Sequence, residues 1–224
     1  MDGNGRWARQ RGFSRVVGHE RGSEAVRDTV EGCCELGVEF LTLYAFSTEN
    51  WRRPRNEVSA LMALLERFLR KETPLLQKKQ VRLETIGRLE DLPPETRKAL
   101  EKTVAATAAN PGLRLILALS YSSRQEILEA VRTLMQEARE GKTDPQALDE
   151  ARFGQYLYTR AYPDPDLMIR TSGEMRLSNF LLWQLSYTEL YITPKLWPDF
   201  RKPDFLEAVA DYGRRHRRYG AIEG

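Results

Sequence analysis

Cysteine and histidine are scarce: the 224 residues hold two of each. The cysteines, Cys33 and Cys34, are adjacent. Neighbouring residues seldom bridge each other, so no disulfide framework organises the fold. Nothing near the pair completes a metal-ligand set, and both are read as small, core-facing residues of a helix. No run reaches the roughly 20 apolar residues that a membrane-spanning helix needs. The longest apolar pieces, Leu113–Tyr121 and Phe180–Leu185, have the length of a strand or a short helix. No signal-peptide pattern is visible, and the expected location is the cytoplasm. The GxSxG, HExxH and CxxC patterns of several enzyme classes are missing. Gly141-Lys142-Thr143 mimics the tail of a nucleotide P-loop, but Gln136 stands where the first glycine belongs. An excess of one charge is missing too. With 35 Lys and Arg against 32 Asp and Glu the net charge is +3, a weak argument for nucleic acid. Local clusters matter more than the sum.

What is present is an alternation of helix and strand patterns across one expected domain, residues 1–224. His19–Leu36 reads as a helix stopped by Gly37, and Glu39–Phe46 as a buried strand. Asn56–Glu72 is the clearest helix, because Val58, Leu61, Met62, Leu65, Phe68 and Leu69 recur at i, i+3, i+4 spacing. A strand at Val81–Gly87, a helix from Pro93 to about Ala109, and a strand at Leu113–Tyr121 follow. Then come an amphipathic helix at Ser123–Glu140 and a short strand at Asp166–Thr171. A short helix at Phe180–Tyr187, a strand at Glu189–Thr193 and a helix at Pro203–Arg218 complete the chain. This order predicts an α/β fold, a mostly parallel sheet with helices on both faces. In such sheets ligands bind beyond the carboxyl ends of the strands. Three polar loops belong there: Asp2–Trp7, Ser47–Arg55 and Ser172–Asn179.

The first loop, Asp2-Gly3-Asn4-Gly5-Arg6-Trp7, lets the backbone turn sharply and present N–H groups to an anion. Arg6 can grip phosphate oxygens through two hydrogen bonds. Asp2 makes sense beside phosphate only if Mg²⁺ lies between them; an ordinary Asn-Gly turn is the plainer alternative. Arg15 and His19, four apart, share a helix face and add to a cationic pocket. There His19 can donate to a phosphate or protonate a leaving diphosphate, or simply be structural. Ser47, Glu49, Asn50, Trp51, Arg53 and Glu57 follow a buried strand as a binding loop, or as a solvated loop with Trp51 packed as a plug. Arg170, Arg176 and Ser178 surround a glycine-containing loop and suit a second diphosphate. Glu189 is a second candidate carboxylate near metal. Arg214–Arg218 reads best as a solvated helix end.

These residues carry a resemblance. DGNGRWA (2–8), GHERG (18–22), LTLYAFSTENWRRP (41–54), EVSALM (57–62), DLMIRTSGEMRLSNFLLWQ (166–184), ELY (189–191) and LWPDF (196–200) resemble the cis-prenyltransferases of the bacterial undecaprenyl diphosphate synthase type, in order and over nearly the whole chain. The all-helical trans-prenyltransferases are excluded, because no Asp-Asp-x-x-Asp motif occurs.

The resemblance implies a Mg²⁺-dependent homodimer that extends an allylic diphosphate, farnesyl diphosphate being the expected primer, with isopentenyl diphosphate. It implies catalytic roles for Asp2, which binds the metal, and for Asn50, close to the reacting carbons. Gly3, Asn4, Gly5, Arg6, Trp7, Arg15 and His19 would cradle the allylic diphosphate. Ser47, Glu49, Trp51, Arg53 and Glu57 would belong to a closing loop. Arg170, Arg176 and Ser178 would hold isopentenyl diphosphate, and Glu189 would support the metal near the dimer interface. The proton acceptor stays open among Asp2, Asn50 through water, and diphosphate. A greasy tunnel is expected between the sheet and the helices at 56–72 and 93–109, lined partly by Leu61, Leu65 and Phe68.

Three departures from the family pattern stand out. A hydrophobic strand normally precedes the DGNGR loop and is expected to be missing here, leaving its neighbours unpaired and Asp2 poorly anchored. Ser172 replaces a glycine, and Met175 stands where some relatives carry a histidine near the metal. Two rival readings are a non-catalytic partner subunit, which would tend to lose the Asp and Arg that this chain keeps, and a nucleic-acid-binding protein using its Arg clusters. Nucleic acid is not an expected partner; transient contact with a membrane surface is.

Overall fold

The computed structural model describes residues 1–216. Two short parallel sheets form its middle. β1 (Phe40–Ser47), β2 (Arg82–Ile86) and β3 (Arg114–Tyr121) make one, in the order β1-β3-β2. β4 (Leu167–Arg170) and β5 (Glu189–Ile192) make the other. The helices are α1 (Asn4–Gln10), α2 (Arg15–Leu36), α3 (Arg55–Lys78), α4 (Pro94–Thr107), α5 (Ser123–Arg139), α6 (Glu150–Gly154) and α7 (Lys202–Gly213).

The strands form where the apolar runs predict them. β3 is buried along nearly its whole length, as a central parallel strand covered on both faces must be. α2 stops at Gly37, whose φ of 69° is a left-handed conformation that a side chain would resist. The repeat in α3 puts Met62 and Leu69 into the main core with Leu43, Leu83, Leu115 and Leu117.

The expected single sheet is divided. β1 and β4 are both edge strands, and no strand lies between them among the described residues. Consecutive residues of β1 and of the 163–170 segment line one cavity of about 1360 Å³.

Two elements differ from the sequence reading. Residues 180–187 form turns rather than a helix. Ser178, Asn179 and Leu181 have φ of 51°, 63° and 44°, because the segment is tied to the start of α5. Ser123 N–H donates to the Asn179 carbonyl at 2.8 Å, and Leu182 N–H to Ser123 Oγ at 2.9 Å. The last helix ends at Gly213, so the predicted extension over residues 214–216 is not helical, while Arg217 and Arg218 lie outside the described residues. No described helix is long and apolar enough to cross a membrane.

Candidate active site

Three loops meet at the carboxyl ends of β1 and β4. Asp2 is fixed by its backbone: its N–H donates to Thr171 Oγ1 at 3.0 Å, and its carbonyl accepts from Thr171 Oγ1 at 2.8 Å and from Trp197 N–H at 2.9 Å. The expectation of a poorly anchored Asp2 is therefore corrected. Thr171, just after β4, and Trp197 hold it. Gly3 then turns with φ 102° against Ser172 and Leu196, where a side chain would collide.

The Asp2 carboxylate faces two arginines. Arg170 Nη2 lies 3.1 Å from Oδ2 and Arg6 Nη2 3.7 Å; the Gly3 N–H donates to Oδ1 at 2.7 Å. Burial opposes ionisation, but the Arg170 bond, the Gly3 N–H and the Arg6 charge prevail and hold the carboxyl below its usual range. Asp2 is an anion at neutral pH.

Arg170 also donates to Ser178 Oγ at 2.9 Å and to the Arg176 carbonyl. Arg6 pairs with Glu174 at 2.9 Å, and Arg176 pairs with the same carboxylate. Asp2, Arg6, Arg170, Arg176 and Ser178 thus form one network. Glu174 lies within the 166–184 motif, where the sequence alone assigns it no role. Its position between two arginines, two residues before one of them, was the available signal.

The second cationic group gathers on Glu57. Arg15 Nε and Arg53 Nη1 lie 3.2 and 3.1 Å from Glu57 Oε1, beside His19. Gly5 lets the Arg15 guanidinium approach the α1 backbone. His19 is pushed down to about 4, by burial first and then by Arg53, against Glu57. Its imidazole is neutral without ligand and can donate an N–H to a phosphate. Asn4, Gly5, Arg6, Arg15, His19 and Arg53 line a second cavity of about 610 Å³ that contacts Asp2.

Trp7 is buried, and its indole N–H donates to Asp199 at 2.7 Å. It is a support for α1 and not a surface of either cavity. Trp51 is likewise inward: its indole N–H donates to Ser120 Oγ at 2.9 Å, and its ring meets Phe46 edge-on at 4.8 Å. Asn50 lines the large cavity while its carboxamide oxygen accepts from Ser47 N–H at 3.2 Å. Glu49 bonds Asn179 at 2.9 Å and links the first strand's loop to the loop after β4.

Glu189 is not brought to Asp2 within the chain. It starts β5 opposite Leu167, whereas Arg170 faces Ile192. Three residues of strand, roughly 10 Å, intervene, and Glu189 pairs with Arg215 at 2.8 Å. Met175 is exposed. No group of three metal-binding side chains occurs among the described residues.

The large cavity opens at these loops. α2 lines it with Val26, Thr29 and Cys33, and α3 with Leu61, Leu65 and Phe68. The helix at 94–107 does not line it; α2 takes the place expected for that helix, because α4 packs behind α3.

A cleft with one arginine set on Asp2 and a second on Glu57, open to an apolar cavity, suits prenyl diphosphate chemistry. The family model described as "Putative undecaprenyl diphosphate synthase" matches residues 1–220. The chain belongs to this cis-prenyltransferase family. It is 52% identical over 223 residues to the isoprenyl transferase of Heliobacterium mobile, covering 100% of this chain and 86% of that one. It is 48% identical to that of Bacillus subtilis, covering 99% and 85%. Among solved structures, lavandulyl diphosphate synthase from Lavandula x intermedia, in complex with dimethylallyl diphosphate, superposes with a TM-score of 0.96 at 39% identity, covering 98% of this chain and 95% of that one. A probable undecaprenyl diphosphate synthase from Campylobacter jejuni gives 0.79 at 35% identity, covering 89% and 92%. This cis-prenyltransferase is an enzyme, and the parallel sheet with flanking helices is the fold of its relatives.

Proposed function

We propose that this cis-prenyltransferase joins isopentenyl diphosphate to an allylic diphosphate, farnesyl diphosphate as primer, and makes a long-chain polyprenyl diphosphate of the undecaprenyl type for a cell-wall lipid carrier. The observation that carries this is the Asp2–Arg6–Arg170–Arg176 network at the mouth of an apolar cavity.

In the reaction the allylic C–O bond breaks and its electron pair leaves with diphosphate. The isopentenyl π pair forms the new C–C bond, and a proton lost from the adjacent carbon restores a double bond, now cis. Arg6, Arg15, Arg53 and neutral His19 would bind the allylic diphosphate, with Gly3, Asn4 and Gly5 shaping the turn. Their positive potential favours the charge gathering on the departing oxygen. Arg170, Arg176 and Ser178 would bind the isopentenyl diphosphate, and Asn50 lies beside the reacting chains. The diphosphates would displace the carboxylates now paired with these arginines.

Mg²⁺ typically takes one or two carboxylates plus phosphate oxygens and water. The ionised Asp2, beside arginines that would hold phosphate, fits that donor set. When bound, the ion neutralises charge on the leaving diphosphate. Glu189 could join Asp2 only from another chain. A homodimer is supported by the exposed row Leu128, Val131 and Met135 on α5, and sedimentation would test it. We place the enzyme in the cytoplasm, touching a membrane surface to release its product.

The decisive experiment incubates the protein with farnesyl diphosphate, labelled isopentenyl diphosphate and Mg²⁺ and sizes the extracted products. A ladder of longer prenyl diphosphates supports the reading, and absence of any extension overturns it.

A further inference from the structure

Two loops carry the residues that line the charged end of the large cavity, and one side chain spans them. The Thr48–Arg52 turn after β1 brings Asn50 to the cavity wall, and the loop after β4 brings Ser178. Asn179 is half-buried on the same wall. Its amide Nδ2 donates to Glu49 Oε1 and to Ser122 Oγ, both at 2.9 Å. Its Oδ1 accepts from the Arg124 N–H at 2.9 Å, one of the N–H groups that the first turn of α5 leaves without a helical partner. Its backbone carbonyl accepts from the Ser123 N–H at 2.8 Å. One residue thus ties the 48–52 turn to the end of β3, to the start of α5 and to its own loop.

These ties hold a strained backbone. Ser178 and Asn179 both have left-handed φ, 51° and 63°. Asparagine tolerates this conformation, but a serine there costs about 1–2 kcal/mol. Such a residue stays in place only where its surroundings over-determine it. Ser178 is also the residue whose hydroxyl meets Arg170 at 2.9 Å. On the other side, Glu49 precedes Asn50, whose side chain and carbonyl brace the turn through the Ser47 and Arg53 N–H groups. The bonds to Ser122, Ser123 and Arg124 already anchor the loop after β4. The bond to Glu49 is surplus to that anchoring, and it joins residues 130 apart in the chain.

We propose that Asn179 is a positioning residue for chain extension, setting Ser178 for the isopentenyl diphosphate and, through Glu49, fixing the Asn50 turn relative to it. This rests on the reading in which Arg170, Arg176 and Ser178 take that diphosphate. Asn179 acts through its two neighbours and moves no proton itself.

Asn179→Asp isolates the contact to Glu49. The new carboxylate can still accept from the Arg124 N–H and from the Ser122 hydroxyl, and a negative charge at the start of a helix is favourable. The variant should therefore fold with an unchanged melting temperature, yet it meets Glu49 with like charge. Kinetics with farnesyl diphosphate, isopentenyl diphosphate and Mg²⁺ should show KM for isopentenyl diphosphate raised on the order of tenfold, with a smaller change for farnesyl diphosphate. The same substitution is then made in Glu49→Gln, where the glutamine amide can donate to the carboxylate and reverse the bond. There it should change that KM by less than about threefold. An equal rise in both backgrounds, or none in either, overturns the proposal. A lowered melting temperature with both KM values raised alike would make Asn179 an element of the fold only.

A second measurement needs no turnover. Hydrogen exchange, read by mass spectrometry on the ligand-free protein, follows the backbone of residues 47–53. Asn179→Asp should speed exchange there severalfold, although these residues belong to the other loop, and adding Glu49→Gln should restore the slower rate. Glu49→Ala cuts the contact from its opposite end and should loosen residues 176–182; it stands in for the first variant if that one does not fold. Exchange unchanged on the far side of the contact would refute the coupling. A wild-type protein that extends nothing would overturn the enzymatic reading instead, and the exchange rates would still decide whether the two loops are joined.

Discussion

Ser172 occupies a left-handed backbone position, φ 77°, and its buried hydroxyl oxygen has no hydrogen-bond partner. A side chain there costs about 1–2 kcal/mol relative to glycine, and an unsatisfied hydroxyl adds to it. Ser172→Gly should therefore stabilise the protein by about 1 kcal/mol in urea unfolding, after the glycine's larger chain entropy is set against the gain. Unchanged or lower stability would contradict the strain. His19 gives a pH prediction. Its folded-state value is pushed down to about 4 by burial and Arg53, against an ordinary value near 6.5. Between these the unfolded chain binds more protons, so stability rises with pH and is lost as pH falls from about 6.5 towards 4. The shift corresponds to roughly 3 kcal/mol. His19→Gln should flatten that part of a melting-temperature profile, and a variant with the wild-type slope would disprove the assignment. Asp2→Asn should retain fold, since its backbone bonds remain, but lower turnover on the order of a hundredfold or more. Near-wild-type turnover would remove Asp2 from the mechanism.

Elements were legible where a local pattern decides them. The α3 stripe, the Gly37 stop and the β3 run are written in consecutive residues, and all three form as read. Residues 180–187 were not, because their backbone is set by bonds from the distant Ser123, which no local period encodes. The Thr48–Arg52 turn shows the same dependence. The loop is visible in the sequence, but its inward plug is decided by Ser120, 69 residues away, which accepts the Trp51 indole N–H and itself donates to Asp91 at 2.8 Å. Trp51→Phe should cost about 1 kcal/mol through that lost bond and loosen the turn. Limited trypsin digestion should then cut after Arg52 faster than in the wild type, and an equal cleavage rate would mean that Phe46 packing alone holds the loop.

At the scale of the molecule, the three polar loops that the sequence groups together do meet: those after β1 and β4 sit at strand carboxyl ends, as the alternation predicts, and the Asp2 loop joins them through Thr171 and Trp197. Strand pairing is a non-local matter, and neither run by itself tells that β1 and β4 belong to separate sheets. The Asp2–Arg170 contact spans 168 residues and is legible only through the family resemblance; composition and periodicity say nothing of it. The apolar cavity is continuous with the charged mouth. An environment-sensitive apolar dye should thus gain emission severalfold on binding, and, on the proposed reading, farnesyl diphosphate should displace it, since its head and tail would occupy the mouth and the cavity together. Inorganic diphosphate would engage the arginines alone and should leave the dye in place. If diphosphate displaces it as well as the prenyl form does, mouth and cavity are not the separate compartments this geometry describes.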